Sequence, residues 1–313
     1  MKKPVAVVAL GGNALLQPGQ ELSLHTQFRN ASRAAEQIVP LLKDFAVIIT
    51  TGNGPQVGGI ILRSELALRR VYPLSLAVAV AQSEGEIGYI LEQSLRNVMH
   101  RLGVHVPLAS LLTQVVVDAA DPAFLHPSKP IGLFYDKKHA AILRKQGVLM
   151  VDDAGRGFRR VVPSPKPVRI VEQFAIRDLL AKDFLLIVAA GGGIPVVEKN
   201  GFLSGVDAVI DKDFASSCLA STIRADVLFI LTGVDAVYRD FNTRNAKRLS
   251  RLSVMDAEML YAQGHFPSGS MGPKVLAACD FIRKGGKRVV ITSPEKLSLA
   301  LRGKAGTTIE GLC

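Results

Sequence analysis

The chain has 313 residues, 48% of them hydrophobic, which is enough for a large core, and no apolar run nears the roughly 20 residues of a membrane span. Its formal net charge of +11 suits nucleic acid, a membrane surface or small anionic substrates, but no Trp and only 6% aromatic residues leave single-stranded nucleic acid without a stacking platform. Cys218, Cys279 and Cys313 show neither disulfide-framework nor zinc-ligand spacing, so the simplest setting is a reducing cytosol.

Val5 to Leu10 is a continuous β-branched and aliphatic run that stops at Gly11-Gly12-Asn13. It reads as a buried parallel strand; the preceding Lys2-Lys3 gives it a superficial likeness to a signal peptide, but the run is too short. Phe28 to Lys43 has helical spacing, with Ala31, Ala34, Ala35, Ile38, Leu41 and Leu42 on one side. Phe45 to Thr50 is a second buried strand, again ending at glycine, and Val57 to Arg70 reads as the following helix. Glu84 to Leu102 is another amphipathic helix, in which Glu84 and Glu86 suit the first turn. Val106 to Val117 reads as one or two strands around Thr113 and Gln114.

From Asp118 to Val171 the texture changes. Six prolines arrive in two bursts around a helix-like stretch, Lys137 to Gln146, and ten Lys/Arg face five Asp between 118 and 169. This is an excursion from the main domain, from about 118 to 170. Its arginines Arg156, Arg159 and Arg160 either guard an anionic cleft or coat its surface.

The alternation then resumes. Phe184 to Ala190 is a strand running into Gly191-Gly192-Gly193, Phe214 to Ile223 a helix, Val227 to Thr232 a strand ending at Gly233. Val254 to Gln263 and Val275 to Arg283 are helices, and Arg288 to Thr292 a late strand. Strands alternating with helices predict a mostly parallel sheet covered on both faces, with ligands beyond the carboxyl ends of its strands.

No GxxxxGK[ST] loop is present, and no GxGxxG follows a strand. Instead, Gly11-Gly12-Asn13, Gly52-Asn53-Gly54, Gly191-Gly192-Gly193 and Thr232-Gly233 all fall at predicted strand ends. Any one of them is equally an ordinary turn; together they offer backbone N–H groups to one shared anion. Phosphoryl transfer needs positive charge around the moving group. Lys129, before Pro130-Ile131-Gly132, Lys212, between Asp211 and Asp213, and Lys274, after Gly269-Ser270-Met271-Gly272-Pro273, stand in suitable turn-rich settings. The six histidines lack metal-ligand spacing, and Ser164 and Ser270 show no Ser-His-Asp logic.

Ten segments resemble the carbamate kinases of the amino-acid-kinase superfamily: VALGGNAL (8–15), GNGPQVG (52–58), TQVVVDAADPAF (113–124), KPIG (129–132), DAGRGFRRVVPSPKPV (153–168), GGGIPVVE (191–198), VDAVIDKDFAS (206–216), LTGVDAVY (231–238), GHFPSGSMGPK (264–274) and GKAGT (303–307). The resemblance implies a single domain over 1–313, a three-layer αβα sandwich with an open, mostly parallel sheet and a protruding subdomain at 118–170. It implies a cytoplasmic homodimer, acting in arginine metabolism, that moves a phosphoryl group reversibly between ATP and carbamate. Mg²⁺ would be held mainly by the nucleotide phosphates, with no protein metal site, no nucleic acid and no membrane.

Residue roles follow from the same resemblance. Gly11, Gly12, Asn13, Gly52, Asn53 and Gly54 would line the phosphate and carbamate site. Lys212 and Lys274 would contact the phosphates, Asp211 would orient the lysines, and Lys129 would reach in from the subdomain. Gly191, Gly192, Gly233, Val234, Tyr238, Met271 and Gly272 would border the nucleotide. Many superfamily relatives carry a lysine before the first glycine turn; here Val8-Ala9-Leu10 stands there, and Lys129 is the natural replacement. Thr51 replaces a usual histidine before GNGPQ, and Ala190 a usual fourth glycine, which keeps open a same-fold kinase of another small acid or phosphate. A catalytically silent nucleotide-binding relative is the reading from another class.

Overall fold

The computed structural model describes residues 3–311 apart from 12, 13, 18, 22, 69, 154, 242 and 268. Gly12, Asn13 and Cys313 therefore lie outside the described residues. Strand β1 (Val5–Leu10) shows why the chain layers as it does. Its side chains alternate, so Val7 and Ala9 enter one apolar cluster while Ala6, Val8 and Leu10 enter another on the opposite face.

Helix α1 (Leu24–Ile38) starts four residues before the expected Phe28, because the Ser23 side chain accepts the Thr26 N–H and caps it. Beyond Ile38 the chain tightens into a 3₁₀ turn carrying Pro40, which has no N–H for an α-helical bond. After β2 (Ala46–Thr51), α2 (Gly54–Ala67) begins directly at the glycine turn, with Pro55 in its first turn. Helix α3 (Leu76–Arg101) starts eight residues before Glu84. The stretch Leu76-Ala-Val-Ala-Val-Ala81 has period two and hides a helix that Ser75 caps by accepting the Val78 N–H.

Strands β3 (Leu108–Ser110) and β4 (Gln114–Val117) lie in different sheets. There follow β5 (Lys129–Tyr135), α4 (Lys137–Lys145), β6 (Met150–Asp152) and β7 (Phe158–Val162), which build a separate three-stranded sheet in the order β5-β7-β6. The chain returns along β8 (Pro167–Ile170), antiparallel to β4. Helix α5 (Gln173–Ala181) precedes β9 (Leu185–Ala190), and β10 (Ile194–Lys199) with β11 (Phe202–Gly205) forms a hairpin beside β4. Helix α6 (Lys212–Ile223), β12 (Val227–Leu231), the β13 (Val237–Arg239) and β14 (Lys247–Leu249) ribbon, and β15 (Arg251–Ser253) come next. Helices α7 (Val254–Ala262) and α8 (Met271–Arg283) precede β16 (Arg288–Thr292) and β17 (Thr307–Glu310).

The main sheet runs β15-β17-β16-β12-β1-β2-β9-β3, and only the β16–β17 pairing is antiparallel. Residues of α1 and α3 pack on one face, and residues of α5 to α8 on the other. The result is a three-layer α/β architecture with an open, mostly parallel sheet. The carboxyl ends of β1, β2, β9 and β12 gather at one rim, and the three-stranded sheet joins it there by packing β5 against α2, Ile131 and Val162 meeting Val57 and Ile60. None of the described helices is long and apolar enough to cross a membrane.

Candidate active site

Two of the strands at this rim, β1 and β9, end in turns that tolerate little bulk. At β1, a Cβ built on Gly11 would sit 2.9 Å from the Leu231 carbonyl oxygen at the tip of β12, so only glycine lets the two tips meet. At β9, Gly191, Gly192 and Gly193 all have φ near +90°, a region that strains residues with a Cβ. Thr113 pins this turn from both sides. Its Oγ1 accepts the Ala189 N–H, and its carbonyl accepts the Ile194 N–H. The Thr113 N–H in turn donates to Oε2 of Glu84 at 2.8 Å.

At β2 the turn is Thr51-Gly52-Asn53-Gly54. Asn53 is buried at the N-terminus of α2, but its amide donates to Ser83 Oγ at 2.8 Å and does not cap the helix. Thr51 pairs with Ala190 across β2 and β9, just past an irregularity in the ladder. The two departures from the family pattern are therefore neighbours. The Thr51 hydroxyl is buried with no hydrogen-bond partner among the described residues.

The lysines meet at the start of α6. Asp211 caps this helix by accepting the Asp213 N–H at 2.9 Å, which fixes the first turn and sends Lys212 and Asp213 inward. Lys212 Nζ lies 2.5 Å from Asp213 Oδ1, and Lys274 Nζ lies 3.1 Å from Asp213 Oδ2. Lys274 comes from the first turn of α8 and also approaches the Ser270 carbonyl. Lys129, from the first residue of β5, pairs with Asp211 Oδ2. Three cations far apart in sequence thus converge on two carboxylates two residues apart.

In the sequence Asp213 is simply one flank of Lys212. The structure makes it the hinge of the cluster. Asp211, expected to orient all the lysines, orients Lys129 and the helix, while Asp213 orients Lys212 and Lys274. The signal was present in the Asp-Lys-Asp triplet, but which flank points inward depends on the helix beginning at Lys212, two residues before the predicted start at Phe214.

Burial acts differently on the three charges. Desolvation opposes the Asp213 carboxylate, but Lys212 and Lys274 overcome it and hold the group far below the usual carboxylate range. Desolvation, aided by the Lys274 charge, lowers Lys212 despite its contact with Asp213. For Lys274, the attraction of Asp213 and Asp211 outweighs desolvation and raises it.

Of the residues expected to border the nucleotide, Gly233 and Val234 follow β12, and the Tyr238 hydroxyl donates to Asp235 Oδ1 at 2.9 Å while its ring lies tilted against Phe241. Met271 opens α8, and Gly272 is buried where a Cβ would sit 2.8 Å from the Tyr261 ring. Among the described residues no three His, Cys, Asp or Glu side chains converge as metal ligands. Asp211 and Asp213 are both engaged by lysines, a donor set that suits a metal arriving with nucleotide phosphates better than a protein cage.

Ser83, Glu84 and Thr113, which brace the turns from behind, were not recognised as site residues in the sequence. Glu84, which suits a helix start in the sequence, lies in mid-helix and is buried.

The model of the amino acid kinase family matches residues 4–293. The carbamate kinase of Thermococcus kodakarensis is 46% identical over 309 residues, 97% of this chain and 98% of that protein. The carbamate kinase-like protein YahI of Escherichia coli is 44% identical over 98% of this chain and 99% of its own. Among solved structures, carbamate kinase from Giardia lamblia bound to AMP-PNP superimposes with a TM-score of 0.91 at 41% identity, covering 99% of both chains. A full-length match at this identity, on a fold that brings the same motifs to one rim, shows the family: the chain belongs to the carbamate kinases of the amino acid kinase family.

Proposed function

We propose that the chain is a carbamate kinase, an ATP-dependent phosphotransferase that moves a phosphoryl group reversibly between ATP and carbamate, giving ADP and carbamoyl phosphate. The observation that carries this reading is Asp213 holding Lys212 on one oxygen and Lys274 on the other. An ammonium has three donors, so each lysine keeps N–H groups for phosphate oxygens after Asp213 has aimed it.

The carbamate oxygen is already anionic, so the chemistry requires neither a covalent intermediate nor a general base. Catalysis is positioning plus neutralisation of charge on the phosphoryl oxygens. Lys212 and Lys274 face the nucleotide phosphates, and Lys129 approaches from the side of the excursion. The N–H groups of the glycine turns, from Gly11 and from Gly52 to Gly54, serve the transferred group and the carbamate, while Gly191, Gly192, Gly233, Val234, Tyr238, Met271 and Gly272 border the nucleotide. Mg²⁺ enters with ATP or ADP and supplies charge neutralisation between the phosphates.

The segment 118–170 acts as a subdomain of a single 1–313 domain and carries Lys129 to the site. A homodimer fits the face formed by α1 and α3, where Leu24 and Tyr89 are exposed and Tyr89 meets Phe28 edge to face, with Leu112 exposed in the loop after β3. A cytoplasmic setting suits the buried free thiols of Cys218 and Cys279, and arginine metabolism suits the reaction.

The test is a coupled assay for ATP made from ADP and carbamoyl phosphate with Mg²⁺. Folded protein without this activity removes the reading. Lys129→Ala should lose roughly 10²-fold in turnover; wild-type turnover at saturating substrate would exclude Lys129 from catalysis. A second reading, a kinase of another small acid, is favoured by the adjacent Thr51 and Ala190 and by the similarity to a carbamate kinase-like protein. A panel of small acyl phosphates in the same assay separates the two.

A further inference from the structure

Of the three arginines on β7 and its approach, two are accounted for at the surface. Arg156 is exposed and rests on the Phe134 ring beside Asp153, and Arg160 bridges to Glu65 of α2 at 2.5 Å. Arg159 is different. Its side chain is only 16% exposed, and a Cβ built on Gly54 would lie 3.8 Å from Arg159 Nη2. The guanidinium therefore stands over the first residue of α2, whose N-cap Asn53 sends its side chain to Ser83 and leaves the helix without a side-chain cap.

The hydrogen bonds of Arg159 use one side of the fork. Nη1 donates to Asp153 Oδ2 at 3.1 Å, and the ring of Phe134 lies 5.1 Å from the guanidinium carbon. Nε is buried with no acceptor among the described residues. The edge without a protein acceptor among the described residues is thus Nε with Nη2, and a guanidinium edge matches two oxygens of a planar carboxylate once a small shift uncovers Nε. A buried N–H without an acceptor costs stability, which a ligand oxygen would offset. Asp153 stays ionised because Arg159 and Arg156 together outweigh its desolvation, so the orienting partner does not compete by releasing the fork.

We infer that Arg159 is a second cation delivered by the excursion, and that with the N-terminus of α2 it binds the two carboxylate-derived oxygens of the phosphoryl acceptor. The inference rests on the carbamate kinase reading. Lys212 and Lys274 already occupy the nucleotide side at α6 and α8, and Arg159 covers the opposite end, at the turn after β2. In the direction of ATP synthesis the P–O bond to the carbamoyl oxygen breaks, and the phosphoryl group passes to the terminal oxygen of ADP. The bonding electron pair stays on the carbamate, whose charge spreads over two oxygens facing the guanidinium.

The experiment compares wild type with Arg159→Ala, Arg159→Lys and Arg156→Ala in ATP synthesis, with ADP affinity measured separately by calorimetry. Arg159→Ala should lower kcat/KM for carbamoyl phosphate by roughly 10²-fold and leave the Kd for ADP within twofold. Arg159→Lys should recover little, because an ammonium has no fork, and Arg156→Ala should behave as wild type. Wild-type kinetics in Arg159→Ala, an equal loss in Arg156→Ala, or a parallel loss of ADP affinity would overturn the assignment. Should the wild type bind ADP but make no ATP, the kinase reading fails. Line broadening of ¹³C-bicarbonate, an isostere of carbamate, by the ADP-saturated protein then decides Arg159: broadening lost in Arg159→Ala supports the carboxylate site, and unchanged or absent broadening in the wild type removes it.

Discussion

Lys212 and Lys274 grow from helices whose apolar faces lie in the core, and they share a carboxylate that is itself buried. Lys129 and Arg159 arrive on a three-stranded sheet that meets the main body through a smaller join. Among the described residues that join includes a few apolar residues on α2 and α3 with Val209, the Arg160–Glu65 and Lys129–Asp211 pairs, and a place where Gly58 and Gly132 touch backbone to backbone. Beside it lies a hollow of about 400 Å³ lined by Ile61, Leu74, Leu149 and Val161 among others. The cations proposed for the nucleotide side are thus part of the packed body, and those proposed for the acceptor side are docked onto it. Stability and activity should separate accordingly.

The largest effect is expected at Asp213. Asp213→Asn leaves two buried ammonium groups without their counter-ion, so it should cost about 3–5 kcal/mol of stability and roughly 10²–10³-fold in turnover, read by urea unfolding and by the coupled assay. The pH dependence has a definite sign. The carboxyl is held far below its unfolded value, so the stability it supplies is complete above about pH 4 and is lost as the pH falls. The gap between wild type and variant should therefore close in acid. A gap independent of pH would mean that the carboxylate charge does not hold the cluster together.

Gly58→Ala probes the docked region. A Cβ there would run into the backbone of Gly132, which has φ +75° and cannot easily move aside. The strain, of about 1–3 kcal/mol, should be relieved by displacing the small sheet from α2. Turnover should therefore fall more than Tm. A variant with lowered Tm but wild-type turnover would show that the join is as rigid as the core and would erase the distinction between the two regions.

The two regions also differed in how far the sequence disclosed them. The parallel sheet was legible because β1, β2, β9 and β12 are mostly apolar runs closed by glycine, and the candidate site could be framed because the ends of those strands share one rim. What could not be read was direction. Whether Asp211 or Asp213 faces the lysines depends on the helix phase set by the Asp211 cap, and the helix start at Lys212 carries no periodic apolar signal. Helix α3 was cut short because Leu76 to Ala81 alternates like a strand. Ser83, Glu84 and Thr113 act from behind the turns, through contacts between residues about 30 positions apart, and no local pattern encodes these. For Arg159 the sequence left cleft and surface equally open; its position over Gly54 distinguishes it from its two neighbours.

Glu84 sharpens the picture of the packed region at a smaller scale. Burial raises its carboxyl well above the ordinary value, with the Glu172 charge adding to this and the Thr113 N–H opposing it. The folded protein therefore holds that proton more tightly than the unfolded chain does, and stability declines as the pH rises from about 4.5 through the folded-state value. Glu84→Gln keeps an oxygen for Thr113 and cannot ionise. Its Tm relative to wild type should rise from pH 4 to pH 8, with turnover little changed. A constant difference across that range would mean that Glu84 does not titrate differently on folding.

The smallest effect is expected at Thr51, where the packed body meets the acceptor end of the site. Its hydroxyl is buried without a partner among the described residues, so Thr51→Val removes an unsatisfied polar atom while keeping the shape. Stability should stay level or rise by about 1 kcal/mol, the reverse of what most core substitutions do. The hydroxyl sits one residue before the Gly52-Asn53-Gly54 turn and beside Ala190. If it donates to the acceptor substrate when that substrate is bound, the same variant should raise KM for carbamoyl phosphate a few-fold while leaving KM for ADP unchanged. A lower Tm would show that the hydroxyl is satisfied in solution, and an unchanged KM would remove Thr51 from substrate choice. Its cost would then be structural only, and the discrimination between small acids would fall to the docked cations Lys129 and Arg159.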